Sequence, residues 1–133
     1  MFTCWKNNYT KAYSQHIDPP ADPIVREFIS AFANLNGAKN TITFHFLNGA
    51  CYYFAIILSH RFANQKPTIW YDTANNHFLT EINQVLYDIS GPVYPNTSDF
   101  SNYYIWQDYQ RFDPIHAERI IRDCINYGGF KNE

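Results

Sequence analysis

Apolar residues recur at helical spacing near the start of the chain, where Ile24, Val25, Phe28, Ile29, Phe32 and Leu35 follow Asp22-Pro23 and precede Gly37. An aspartate at the cap, a proline at the first helical position and a terminating glycine predict an amphipathic helix. Residues 41–46 then alternate polar and apolar, which predicts a strand or an extended approach to the turn pair Asn48-Gly49. The pattern changes at Cys51. Residues 51–58 are apolar all round, the mark of a helix buried on nearly every side, with a buried strand as the competing assignment.

Residues 67–71 read as a strand, and two further runs flank Asn83-Gln84, a pair suited to a two-residue hairpin turn. If Ile82 pairs with Val85, Thr80 faces Tyr87 and this side of the ribbon is largely apolar. His77, Leu79 and Glu81 then share the opposite side with Leu86, Asp88 and Ser90, because side chains alternate with period two. Gly91-Pro92 is expected to end the hairpin, and residues 93–112 show no clear period. Asp113-Pro114 opens a last helix with an apolar stripe of Ile115, Ala117, Ile120, Ile121, Cys124 and Ile125, stopped by Gly128-Gly129. Together these elements predict an α+β fold, about three helices packed on a small antiparallel sheet with the Cys-led helix central.

Length and composition narrow the class. A chain of 133 residues, 46% hydrophobic, suffices for one core, so residues 1–133 are expected to form a single domain. The formal charge of -2 with scattered Lys and Arg offers no basic face for a phosphate backbone, so no nucleic acid partner is expected. The longest apolar run, residues 50–58, is far short of the ~20 residues that span a bilayer. No membrane association is predicted, nor, from the first residues, a secretory signal. Cys4, Cys51 and Cys124 are odd in number and widely spaced, and are read as thiols in a reducing, cytoplasmic setting, with Cys4 and Cys124 structural. No metal-ligand spacing is present and no cofactor is expected.

The chemistry centres on Cys51. The first turn of a helix lowers a thiol pKa through unpaired N–H groups and the helix dipole, and the same groups can hold an oxyanion. Such a thiol needs an imidazole, and the imidazole needs a group that fixes its tautomer. The predicted hairpin register makes His77 and Asp88 diagonal neighbours on one face, and a one-residue slip would separate them. Taken singly, Cys51 reads as an ordinary core cysteine, and Asp88 as a turn former.

Asn48-Gly49-Ala50-Cys51-Tyr52, followed by His77-Phe78 and Tyr87-Asp88, resembles the core of the papain-like cysteine hydrolases, the group that includes NlpC/P60 peptidases and transglutaminase-like proteins. The likeness extends to small bacterial and phage proteins with a Gly-x-Cys, His-Phe, Tyr-Asp-Ile-x-Gly layout, and it covers residues 46–91. It implies a papain-like core in which Cys51 is the nucleophile, His77 the general base and then acid, and Asp88 the orienting group. The implied reaction is acyl transfer at an amide or ester through a thioester, on a peptide or protein substrate. Where the papain-type pattern has an oxyanion Gln six residues before its Cys, this chain has His45, with Asn48 a substitute. The rival expectation is a non-enzymatic phage or mobile-element protein that binds a host protein in the host cytoplasm. For it Phe100, Tyr103, Tyr104, Trp106, Tyr109 and Phe112 offer an aromatic surface, although packing over the core explains the same residues. His116 is read as a surface residue.

Overall fold

The computed structural model of the chain describes residues 13–15, 22–35, 51–96 and 100–127, with Gln15 and residues 124–127 described by backbone alone. Strand β1 (Tyr13–Gln15) precedes helices α1 (Pro23–Ala33) and α2 (Cys51–Arg61). Then come β2 (Thr68–Asp72), β3 (His77–Ile82), β4 (Val85–Asp88), β5 (Gly91–Pro95) and β6 (Tyr103–Ile105), and the chain continues into α3 (Trp106–Phe112) and α4 (Pro114–Tyr127). The strands form one antiparallel sheet ordered β1-β5-β4-β3-β2-β6. The α+β class therefore stands, with four helices and six strands among the described residues.

Local chemistry explains the elements. Asp22 accepts from the Ile24 amide at 2.9 Å and Pro23 occupies the first turn, so α1 starts where the sequence predicts. It stops earlier than expected, at Ala33, because the Asn34 side chain donates back to the Ser30 carbonyl at 2.8 Å. Val25, Ile29 and Ala33, four residues apart, form its buried stripe, while Ile24 stays exposed. In α2 the buried residues are Cys51, Phe54, Ala55 and Leu58.

The β3–β4 turn takes positive φ at both Asn83 and Gln84, and Ile82 pairs with Val85, Glu81 with Leu86 and Thr80 with Tyr87. This is the register the sequence predicts. The β3–β4 hairpin ends before Gly91-Pro92, and after a turn at residues 89–90 these two residues open a further strand. Asp88 pairs with Gly91 across a second tight turn, closed by Asp88 Oδ1, which accepts from the Ser90 amide at 2.8 Å and hydroxyl at 2.5 Å. Gly91 sits at φ +105°, a conformation that favours glycine. The unassigned stretch is thus β5, β6 and α3.

The two faces of the sheet differ. On one, α1 and α2 pack over Ile82, Val85, Tyr87 and Ile89. The neighbouring cluster on this side joins Cys51 and Ala55 to Tyr71, Phe78, Trp106, Ala117 and Ile120. On the other, Tyr13, Leu79 and Val93 pack with Trp70, Leu86 and Tyr103. Residues 41–46, Asn48-Gly49, Gly37 and Gly128-Gly129 lie outside the described residues, as do Cys4 and the Cys124 side chain.

Candidate functional site

The hairpin brings two of the predicted residues together. His77 Nε2 and Asp88 Oδ2 are 2.9 Å apart, and the two residues are 0% and 3% exposed. Their neighbourhood is a buried polar cluster. Tyr13 lies against the His77 ring, with centroids 5.2 Å apart, and donates its hydroxyl to Asp72, the cross-strand partner of His77. Asp72 is fully buried and also accepts from the Ala74 amide at 3.0 Å and from Asn75 Nδ2 at 2.7 Å, which shapes the β2–β3 turn. Burial, and then the Asp72 charge, push the Tyr13 phenol far above its usual range, and Tyr103 rises for the same two reasons.

Cys51 does not join them. Its side chain packs with Phe78 and Tyr71, the helix-side residues of β3 and β2, whereas His77, next to Phe78 in an alternating strand, turns toward Tyr13. Cys51 is 2% exposed and disulfide-bonded, not the thiol expected, so its 3.9 Å approach to the Asn76 carbonyl is a contact without a donated proton. The chain holds only two other cysteines, Cys4 and Cys124. The alternation that unites His77 and Asp88 is what separates them from the α2 side. The oxyanion candidates His45 and Asn48 lie outside the described residues.

A cleft opens on the helix side near Cys51. It has a volume of about 430 Å³ and lies between the β2–β3 turn and the last two helices. Tyr71, Thr73 and Asn76 form one wall, and Tyr109 of α3 forms the end. The facing wall is one stripe of α4, His116, Arg119, Ile120 and Asp123, spaced i, i+3, i+4, i+7. The aromatic stretch divides accordingly. Trp106 is core, Tyr109 is half-buried and stacked on it at 5.6 Å, and Phe100, Tyr104 and Phe112 are exposed. Sequence reasoning read His116 as a surface residue and did not single out Arg119 or Asp123, and only their shared helical spacing signalled a common wall.

Among the described residues no group of three or more His, Cys, Asp or Glu is arranged to hold a metal ion, and no helix is long and apolar enough to cross a membrane. The fold and site define a small α+β protein with a buried His-Asp pair and a mixed polar and aromatic cleft. It belongs to the phage YunG-like protein family, whose profile matches residues 28–122. No curated protein and no solved structure matches it, and nothing in these comparisons points to the papain-like hydrolases.

Proposed function

We propose that the protein is a phage-type interaction protein that binds a host protein through the apolar surface running from β6 through α3 to the start of α4. The observation that carries this reading is the pair Phe112 and Ile115, 85% and 84% exposed on either side of the Asp113-Pro114 turn. Phe100, Tyr104 and Ile105 add exposed apolar area on the same segment. Large apolar side chains held in water on either side of a turn have the composition of interface anchors. The small negative net charge favours a protein partner over a phosphate backbone. The test is co-purification from host cells, quantified by mass spectrometry, for the chain and for its Phe112→Asp/Ile115→Asp variant. A partner that the native chain enriches and the variant loses by about tenfold or more is expected. Equal enrichment by both would end this reading.

A second reading, a thiol hydrolase using Cys51, His77 and Asp88, draws support from one observation, the 2.9 Å His77–Asp88 bond that would hold an imidazole in place. It requires reduction of the Cys51 disulfide and a path for the thiol to an imidazole on the other face of the sheet. Iodoacetamide labelling of the folded protein, with and without reductant, separates the two. An activated thiol reacts well below the ~8.5 of a free cysteine once reduced, and a packed one stays unlabelled until the chain unfolds. The interaction reading expects the second outcome.

A further inference from the structure

The cleft beside α4 carries an arrangement that neither reading uses. Arg119 and Asp123 stand one turn apart on the same wall, and yet they form no ion pair with each other or with any other described residue. One position earlier on the same helix, Glu118 and Arg122, also four residues apart, close at 2.7 Å. The order matters, since an acidic residue preceding a basic one suits the helix dipole and the reverse order does not. A cation and an anion therefore line one cavity wall about a turn from each other, neither paired with another described residue.

The rest of the cleft offers one aromatic face among polar groups. Tyr109, half-buried, presents its ring to the cleft, while Tyr71 and Ile120, 3% and 4% exposed, close its floor. The Tyr109 hydroxyl lies 2.8 Å from His116 Nδ1, which joins the end of the cleft to its α4 wall. Thr73 and Asn76 add neutral polar groups opposite. About 430 Å³ is at the lower end of the range for small-molecule sites, room for one amino acid and some water.

We propose that this cleft binds a free α-amino acid with an aromatic or branched side chain. Arg119 takes the carboxylate, Asp123 takes the ammonium, and the Tyr109 ring covers the side chain. A phosphorylated ligand fits less well, because Asp123 opposes its charge. A singly charged ligand would leave one of the two wall charges without a counterpart.

The test is an NMR titration of the full chain with L-phenylalanine, phenylpropionate, phenethylamine and adenosine monophosphate. L-Phenylalanine should shift signals of the α4 wall with millimolar or better affinity. Removing its amine or its carboxylate should weaken binding by about tenfold, the effect of one lost charge-assisted hydrogen bond. Arg119→Gln should erase the preference over phenethylamine, and Asp123→Asn the preference over phenylpropionate. No shift with L-phenylalanine, equal binding of the three phenyl ligands, or tighter binding of the nucleotide would each overturn the proposal. The Phe112 and Ile115 test is read on other residues, so the two readings stand or fall separately.

Discussion

On the helix-covered face of the sheet, Phe54, Leu58, Phe78 and Ile82 are excluded from water by apolar contact. On the other, Asp72, His77 and Asp88 are excluded to the same degree, although each is polar. The first arrangement is non-directional, so stability there scales with buried area and tolerates reshaping. The second depends on direction, because each buried polar atom must meet its hydrogen-bond partner or bear a desolvation cost. A carboxylate and an imidazole at hydrogen-bond distance inside a protein therefore serve as structure as readily as they serve catalysis. Burial and the absence of Cys51 from that face favour structure here.

The comparison can be broken most directly by removing one member from each face. Phe54→Ala empties a site in the α1–α2 core and should cost about 3–5 kcal/mol. Asp88→Ala removes both the His77 partner and the acceptor of the β4–β5 turn, a buried pair cut in half, and should cost roughly 3–5 kcal/mol as well. Urea unfolding measures both. The discriminating variant is Asp88→Asn, which keeps the shape and can still accept, and should recover a large part of the loss. If Asp88→Ala proves nearly neutral, the polar face is not a structural network, and the catalytic reading of the pair gains ground.

How much of the fold and site was legible depends on the reach of each signal. The β3–β4 ribbon was readable because Asn83-Gln84 fixes the turn and period-two alternation does the rest, so the His77–Asp88 meeting followed from residues close in sequence. The same alternation on Phe78 and His77 already implied that a helix covering one would miss the other. What the sequence could not convey was which face α2 covers, a matter of long-range packing. Asp72 escaped notice because its role is set by Tyr13, far away in the chain, and by the turn it caps. Strands β5 and β6 were hidden by proline and by shortness: β5 carries Pro92 and Pro95 near the sheet margin, and β6 spans three residues. The cleft is built from α3, α4 and the β2–β3 turn, which no local pattern relates to one another.

A smaller effect sharpens the same contrast through pH. Tyr13 and Tyr103 both have folded-state pKa values above the usual value of 10.0, first through burial and then through Asp72. A group raised in the folded state contributes its full stability below the unfolded pKa and loses it as pH climbs toward the folded one. Stability should therefore be level up to about pH 9 and fall above pH 10, where the unfolded chain ionises these phenols and the folded chain does not. Tyr13→Phe should lower stability at neutral pH by about 1–2 kcal/mol, through the lost bond to Asp72, and flatten the alkaline decline. Urea midpoints through this range test it, and an unchanged slope in the variant would place the alkaline sensitivity elsewhere.

The smallest expected effect lies on the surface and serves as the control for the other two. Glu118 and Arg122 are bonded at 2.7 Å, as short as many buried pairs, yet the side chains are 73% and 63% exposed. Solvent screening and side-chain entropy should hold the pair to about 0.5 kcal/mol or less. Glu118→Ala should accordingly leave the urea midpoint almost unmoved, and added salt should reduce even that small change. A loss comparable with that of Asp88→Ala would mean that distance alone governs ion-pair strength in this protein. The distinction between the buried polar face and the wet helix surface would then have no energetic content.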